Sequence, residues 1–309
     1  MASAIQVVGA VLGAPLLLGV MRKVRCRLEG RVGPPIRQPW KDIRKLARKE
    51  RLRPEQASVV FGLAPVVLLA SGLVVVAVSP LVSTHQALAT TSDLFVVVLL
   101  LLLGSVILAL AGLDTGTAFG GMGASRAMTI GALAEPALLV AVLALAAPVH
   151  TSNLSLVVVG SLHHPAWLAT PQRVLAFAAF VIVVLAESGR LPVDNPSTHL
   201  ELTMVHEAMI LEYSGPDLAT VILGEGVRLV ALLSLLATLF VPWGIATGTG
   251  LSGLGLGVVA LAGKVTFFGI AIAVSEVAVA KLRLFRVPEL LAGAFALAVF
   301  AVLSALVIP

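Results

Sequence analysis

The chain has 309 residues, of which 59% are hydrophobic and 12% charged, and its mean hydropathy is +1.05. Soluble globular chains carry about 25% charged residues. The composition therefore excludes an ordinary soluble enzyme, a disordered protein and a disulfide scaffold, and it indicates a polytopic membrane protein. Because Cys26 is the one cysteine, this chain cannot supply the four thiolates of an all-cysteine iron–sulfur cluster.

The net charge of +5 comes from one segment. Thirteen of the 21 basic residues lie between Arg22 and Arg53, and residues 22–55 contain four acids. A basic block that follows an apolar helix is typical of the cytoplasmic flank of a membrane span. We therefore interpret the charge as a signal of membrane topology, and we expect no nucleic acid among the partners.

Eight apolar segments approach the length of about 20 residues that a helix needs to cross a bilayer. They cover residues 2–20, 59–82, 94–113, 127–147, 174–186, 218–242, 254–275 and 290–308. The fifth segment is short, and we expect its helix to begin nearer to Pro171. The sequence thus predicts an all-α membrane protein of about eight transmembrane helices, folded as a single membrane domain over residues 1–309.

Charged residues are concentrated in alternate connections between these segments. The odd-numbered connections, 22–53, 114–126, 187–217 and 276–289, carry them, whereas the even-numbered ones are almost uncharged. Because basic loops stay in the cytoplasm, we expect the odd connections to be cytoplasmic and both termini to face outward. Trp40 would then lie at the inner interface, and Trp167 and Trp243 at the outer one, where tryptophan is enriched.

A short amphipathic helix is predicted inside the basic segment. Trp40, Ile43, Leu46 and Ala47 recur at helical spacing among lysines and arginines. Such a helix either anchors the chain on anionic lipid or offers a docking surface to a soluble partner. The sequence leaves both interpretations open.

The connection over residues 187–217 is rich in acids, which are Glu187, Asp194, Glu201, Glu207, Glu212 and Asp217. Apolar residues lie between them, so we expect this connection to fold against the membrane domain or under a partner. Thr198 and Glu201 fit a capping box, which predicts a helix that begins near His199. On it, Glu201 and Glu212 would share one face about 16 Å apart, too far for direct proton transfer. The alternative is that Arg190 and cations of partners merely satisfy these acids.

Three ionisable residues fall inside the predicted spans: Glu135, Glu225 and Lys264. A charge at the centre of a spanning helix costs about 2.5–3.5 kcal/mol on insertion scales, and such residues usually face a bundle interior or a hydrated cavity. We place Glu135 and Glu225 about 12 Å from the cytoplasmic ends of their helices. The alternative for Glu225 is simple neutralisation by Arg228, three residues further on.

Two further patterns predict no site. His163 and His164 have no other metal ligands close by in the sequence, so we expect no metal centre. The glycines of residues 116–123 lack both the lysine of a P-loop and the strand that precedes it.

Several motifs resemble the subunit 1 family of respiratory complex I. They are GRVGP from Gly30 with Gln38-Pro39, then Ala186-Glu187 with Arg190, Pro192, Asp194 and Pro196, then Glu201-Leu202, and finally EYSG from Glu212. Other details resemble the membrane subunit of group 4 nickel–iron hydrogenases, the formate hydrogenlyase subunit 4 or hydrogenase-4 type. These are AGLDTG from Ala111, FGGMG from Phe119, Glu135-Pro136 and THLELTMVHE from Thr198.

The resemblance implies a non-catalytic subunit of an oxidoreductase complex in the cytoplasmic membrane. It would anchor a peripheral redox arm and link electron transfer to proton translocation. The implied partners are iron–sulfur and hydrogenase-like subunits on the cytoplasmic side, antiporter-like membrane subunits, and lipid. The iron–sulfur clusters would lie in the partners, with no cofactor bound by this chain alone. A quinone remains an alternative, although His206–Met209 replaces the residues usual in complex I and argues against a conventional ubiquinone pocket.

The matching motifs imply a coupling region lined by Glu187, Arg190, Asp194, Glu201, Glu212 and Glu225. They also imply that Glu135 lies on the path into the membrane and that Arg31 and Arg126 belong to the docking face. To the path we add Glu207 and Lys264, and to the ion-pairing or docking residues Asp114 and Arg228. Other functions left open are a quinone-chamber subunit, a purely structural anchor and a free-standing ion transporter.

Overall fold

The computed structural model describes residues 2–86, 88–164, 167, 170–194, 204–248 and 250–307. Within these ranges the chain is helical and has two isolated β-bridges but no strand. The helices are α1 (Ala2–Leu28), α2 (Gln38–Leu46), α3 (Val59–Val78), α4 (Leu94–Asp114), α5 (Ala118–Ala146), α6 (Leu154–His163), α7 (Pro171–Glu187), α8 (His206–Ile210), α9 (Gly215–Phe240), α10 (Leu251–Ala278) and α11 (Val287–Val307).

Seven helices in the described ranges are long and apolar enough to cross a membrane, and each coincides with a predicted span. They are α1, α3, α4, α5, α9, α10 and α11. The fifth predicted span is α7, which begins at Pro171 as expected but has 17 residues, fewer than the roughly 20 of a full crossing. The all-helical, multi-pass architecture is thus confirmed, whereas the count of eight full spans is confirmed for seven.

The start of α5 differs from the prediction, because the helix begins at Ala118 rather than at residue 127. Thr117 caps it, and its hydroxyl accepts a hydrogen bond from the N–H of Gly120. The glycine-rich residues around this turn serve close packing: a Cβ at Gly120 would lie 2.4 Å from the carbonyl oxygen of Gly112 on α4. Glycine therefore allows α4 and α5 to meet at this end.

Helix α3 runs antiparallel to both α1 and α4, as contacts at the two ends of the bundle show. At one end, the side-chain amide of Gln6 on α1 donates to the carbonyl of Val76 near the end of α3, at 2.7 Å. At the other end, the Asp114 carboxylate accepts hydrogen bonds from the N–H groups of Ser58 (2.7 Å) and Phe61 (3.3 Å). We call this second end, which carries residues 22–58, the basic end. That it faces the cytoplasm, with both termini outside, stays a prediction.

Asp114 was expected to form an ion pair or to dock a partner, and that role stays a prediction. Its described contacts are with the backbone at the start of α3, where N–H groups have no helical acceptor and a carboxylate is favourable. Asp114 is therefore a helix-capping residue.

The basic segment contains α2 and then returns to the start of α9. In α2, Ile43 is buried while Arg44 and Lys45 are exposed. Further on, the hydroxyl of Ser214 accepts from the N–H of Leu52 (2.9 Å) and donates to its carbonyl (3.0 Å). The segment is thus fixed to the first turn of α9, and the exposed face of α2 remains available to lipid or to a partner.

Charged side chains complement both ends of α9. In its first turn the buried Asp217 pairs with Arg51 and, at 3.6 Å, with Arg53. At its last turn Arg173 donates to the carbonyl of Leu239, and Lys264 donates to the carbonyls of Val241 (2.6 Å) and Trp243. Acids at a helix N-terminus and cations at its C-terminus offset the helix dipole.

Lys264 lies away from the other residues of the expected proton path, and its place on that path stays a prediction. Lys264 contacts Val241, at the C-terminal end of α9. Val241 is sixteen residues beyond Glu225, which corresponds to about 24 Å along a helix. Its ammonium group is occupied by backbone carbonyls that the helix end leaves without partners. Lys264 therefore stabilises a helix terminus, and the route proposed below omits it.

Tyr213 joins the end of the acidic connection to α3. Its ring stacks on Phe61 with centroids 4.1 Å apart, and its hydroxyl donates to the carbonyl of Phe61 at 2.9 Å. Burial, with smaller contributions from Asp217 and Asp114, raises the pKa of Tyr213 above its usual range. The neutral phenol is therefore the form that the fold stabilises.

We expect the folded protein in detergent to show no tyrosinate absorbance at about pH 11, one unit above the ordinary pKa of tyrosine. Tyr213 is the one tyrosine of the chain, so an ultraviolet pH titration reports on it directly. The unfolded chain loses this proton first, so stability should fall as the pH rises above about 10. Ionisation of Tyr213 near pH 10 in the folded protein would contradict the raised pKa. The variant Tyr213→Phe shows which absorbance change belongs to Tyr213.

Candidate functional site

Two adjoining cavities lie beside α8, the smaller among α4, α5, α7 and α9 and the larger among α1, α7 and α9. They enclose about 70 and about 140 Å³, enough for several water molecules. The residues that line both are Glu187, Ser188, Gly189, Asp194, His206, Glu225 and Arg228. We call the two cavities together the acidic cavity, since three carboxylates and one guanidinium form their shared wall.

Close packing brings α8 over this cavity. A Cβ at Gly123 on α5 would lie 2.8 Å from the Cβ of Ala208 and 2.9 Å from the carbonyl oxygen of Val205. Met209 also packs against Gly112 and Gly123. Glycine at these positions lets the five-residue helix lie directly on α4 and α5, where His206 and Met209 line the cavity.

An ion pair between Glu187 and Arg228 crosses the acidic cavity. The two side chains are 5% and 7% exposed, and Arg228 also donates to the hydroxyl of Ser105. Glu187 is the last residue of α7, whereas Arg228 lies on α9. This pairing overturns the alternative in which Arg228 neutralises Glu225. Among the described residues Glu225 has no ion-pair partner within 4 Å, and its carboxylate lines the cavity.

Glu135 extends the group of acids deeper into the bundle. It lies on α5 one turn beyond Gly131, which lines the cavity. The charged groups that act on it are Glu187 and Arg228. Its side chain is buried, and neither carboxyl oxygen has a hydrogen-bond partner among the described residues. Because α5 begins early, Glu135 lies about 25 Å from the start of its helix, twice the predicted depth.

A second set of ion pairs joins the connection after α7 to α10 and the residues that follow it. Arg190 donates to Glu276 at 3.1 Å, and Lys281 lies 3.2 Å from Asp194. Glu276 was not singled out from the sequence. The available signal was an acid near the end of an apolar span, but its partner is 86 residues away along the chain.

The predicted helix that joins Glu201 to Glu212 is wrong. Helix α8 covers only His206–Ile210, and the exposed Glu212 lies beyond its end. Tertiary contacts replace helical hydrogen bonds just before it: Asp194 accepts from the N–H groups of Val205 and His206, and Arg126 donates to the carbonyl of Met204. The separation of 16 Å therefore does not apply, and Glu201 itself lies outside the described residues.

The structure thus places four predicted acids on the wall of the acidic cavity, with a fifth one helical turn beyond it. On the wall are Glu187, Asp194 and Glu225, joined by Glu207 in the larger cavity, and the fifth acid is Glu135. It places Arg31 on the surface, 76% exposed and 3.8 Å from Glu29. Arg126 is half-buried and donates to the carbonyl of Met204, just before α8; its role in docking stays a prediction.

We expect Arg228→Gln to destabilise the protein by about 3–5 kcal/mol, because it leaves the buried Glu187 charge without compensation. The double variant Glu187→Gln/Arg228→Gln should recover part of this loss, since both charges are then absent. Denaturant unfolding in detergent micelles measures both. Arg31→Gln is the exposed control. A double variant as unstable as the sum of its single variants would contradict a direct pairing.

Residues 1–307 match the family model described as NADH dehydrogenase. The chain is 33% identical to Hydrogenase-4 component C of Escherichia coli K12 over 296 residues. The aligned region covers 96% of this chain and 92% of that protein. It is 32% identical over 293 residues to Formate hydrogenlyase subunit 4 of the same organism, with coverage of 95% and 94%.

Two other proteins extend the comparison. An NADH-quinone oxidoreductase subunit of Syntrophotalea carbinolica is 32% identical over 255 residues, 75% of each chain. A chain in the structure of the membrane-bound sulfane sulfur reductase, an archaeal respiratory membrane complex, has the same fold, with a TM-score of 0.81, 19% identity and 98% coverage of both chains. These similarities confirm the resemblance drawn from the motifs: the chain belongs to the NADH dehydrogenase family of membrane subunits, of the complex I subunit 1 type.

Proposed function

We propose that this chain is the membrane-anchoring, energy-coupling subunit of a group 4 hydrogenase-type respiratory complex. It holds a peripheral redox arm on the basic end and links electron transfer there to proton translocation. The observation that carries the proposal is the acidic cavity, which leads from the basic end towards Glu135, a buried carboxyl group without a hydrogen-bond partner in the described part of the chain. The similarity to Hydrogenase-4 component C and Formate hydrogenlyase subunit 4 supports it.

The coupling mechanism is a shift of protons among acids that feel one another's charge. Carboxyl groups that share a low-dielectric cavity titrate as a group, so that a charge change at one alters proton occupancy at the others. Protons enter at Glu207, pass Glu225 and Glu187 through cavity water, and reach Glu135. The exposed Glu212 and also Glu201, which lies outside the described residues, remain proposed members at the entrance.

The partners follow from the charges of the basic end. The exposed Arg31, Arg44 and Lys45 offer cations to an acidic protein surface or to anionic lipid. Iron–sulfur and hydrogenase-like subunits would bind on this side, and antiporter-like membrane subunits would receive protons from the region of Glu135. The iron–sulfur clusters belong to the partners, because a single cysteine cannot hold one.

The size of the acidic cavity favours water over quinone as its occupant. Its two parts, about 70 and 140 Å³, are smaller than the roughly 300–1,000 Å³ of pockets that hold small-molecule ligands. The buried Met209 lines the smaller part and packs against α4 and α5. These features support a hydrogenase-type complex over a quinone-chamber subunit.

Gentle solubilisation of native membranes should recover this chain together with an iron–sulfur subunit and a nickel–iron hydrogenase-like subunit, identified by mass spectrometry. A stable complex with a quinone-reducing arm would support the quinone-chamber alternative. An active chain purified without partners would contradict the proposal and indicate a free-standing transporter.

Glu225→Gln should lower the number of protons translocated per hydrogen evolved at least tenfold, because an amide cannot exchange protons. Hydrogen evolution from reduced methyl viologen and dye-reported acidification of inverted membrane vesicles give this ratio. Assembly should persist, since Glu225 lacks an ion-pair partner among the described residues. Glu55→Gln, at an exposed acid of the basic end, is the matched control. A normal ratio in Glu225→Gln would contradict the path.

A further inference from the structure

Glu276 is an almost fully buried carboxylate bound by two arginines from different parts of the chain. Its side chain is 2% exposed. One oxygen lies 3.1 Å from Arg190, in the connection after α7, and the other lies 3.6 Å from Arg25 on α1. An acid in the last turn of a helix is unfavourable with respect to the helix dipole, and a buried charge requires partners. The local charge balance therefore depends on these two guanidinium groups.

The connection that carries Arg190 is attached to the end of α10 at two further points. The N–H of Leu282 donates to the carbonyl of Pro192 at 2.9 Å. Lys281 lies 3.2 Å from Asp194, whose other oxygen accepts from the N–H groups that lead into α8. Residues 188–194, the start of α8 and the end of α10 therefore form one linked unit.

The same connection forms part of the wall of the acidic cavity. Arg190 lines its larger part together with Glu187, Asp194, Glu207 and Glu225. Arg190 nevertheless pairs with Glu276, which is outside the residues that line the cavity. The guanidinium thus lies between a buried acid on α10 and a group of acids that the proposed function assigns to proton transfer.

We propose that Glu276 is a positioning residue for energy coupling, which holds the Arg190 guanidinium away from the cavity acids. Transfer of Arg190 from Glu276 to those acids changes their charge balance and releases the end of α10. Because residues 188–194 contact both the cavity and the end of α10, a change in the cavity also changes the position of α10. This inference rests on the proposed function, and it adds α10 as the helix that transmits a change in the cavity.

The test uses the complete complex, reconstituted in liposomes, with hydrogen evolution from reduced methyl viologen as the measure of electron flow. Glu276→Gln keeps the size of the side chain and removes its charge, so the ion pair that holds Arg190 is lost and only a weaker, neutral hydrogen bond can replace it. We expect electron flow to persist while the protons translocated per hydrogen evolved fall at least fivefold. Glu276→Asp should restore most of the ratio. Glu289→Gln, at an exposed acid that begins α11, should leave it unchanged.

An unchanged ratio in the assembled Glu276→Gln complex overturns the inference, since a purely structural clamp alters yield and stability but not the ratio. If Glu276→Gln does not assemble, Arg190→Gln decides, because it removes the same ion pair from its other side: a lowered ratio supports positioning of Arg190, and a normal ratio overturns it. The outcomes for Glu225→Gln and Glu276→Gln distinguish a failure of this inference from a failure of the proposed function. If Glu225→Gln lowers the ratio and Glu276→Gln does not, only the role of Glu276 is wrong, whereas normal ratios in both remove the acidic path itself.

Discussion

The cost of placing charge inside a membrane-spanning bundle is the constraint on which this structure depends. A buried ion is stable only with a counter-ion or with hydrogen bonds that replace its hydration. Glu187 and Arg228 satisfy this requirement across the bundle, as do Glu276 and its two arginines. Against this background, Glu135 and Glu225 stand out, because they form no ion pair with any described residue.

Helix α9 organises these charges. Its first turn receives the basic segment through Asp217, its middle carries Glu225 and Arg228 into the acidic cavity, and its last turn is closed by Arg173 and Lys264. Under the proposed function, docking of a partner on the basic segment and proton occupancy in the cavity thus involve the same helix. This gives a physical route by which an event on the basic end reaches the membrane interior.

The sequence predicted the features that depend on local composition. Apolar length located the spans, and the rarity of charge in them identified Glu135 and Glu225. It failed where tertiary contacts decide. The helix expected from Glu201 to Glu212 is replaced before His206 by hydrogen bonds to Asp194 and Arg126. The pairing of Arg228 with Glu187 rather than with Glu225, and that of Arg190 with Glu276, join residues 41 and 86 positions apart, which spacing within one helix cannot reveal.

The central claim is that one hydrated path joins Glu187 and Glu225, which line the acidic cavity, to Glu135 beyond it. A high-resolution cryo-electron microscopy map of the native complex tests it most directly, because ordered water is visible there. The account predicts a continuous chain of water density from Glu225 past the Glu187–Arg228 pair to the carboxyl group of Glu135. Apolar side chains or lipid filling that space, with each acid bound to a permanent counter-ion of its own, would contradict it.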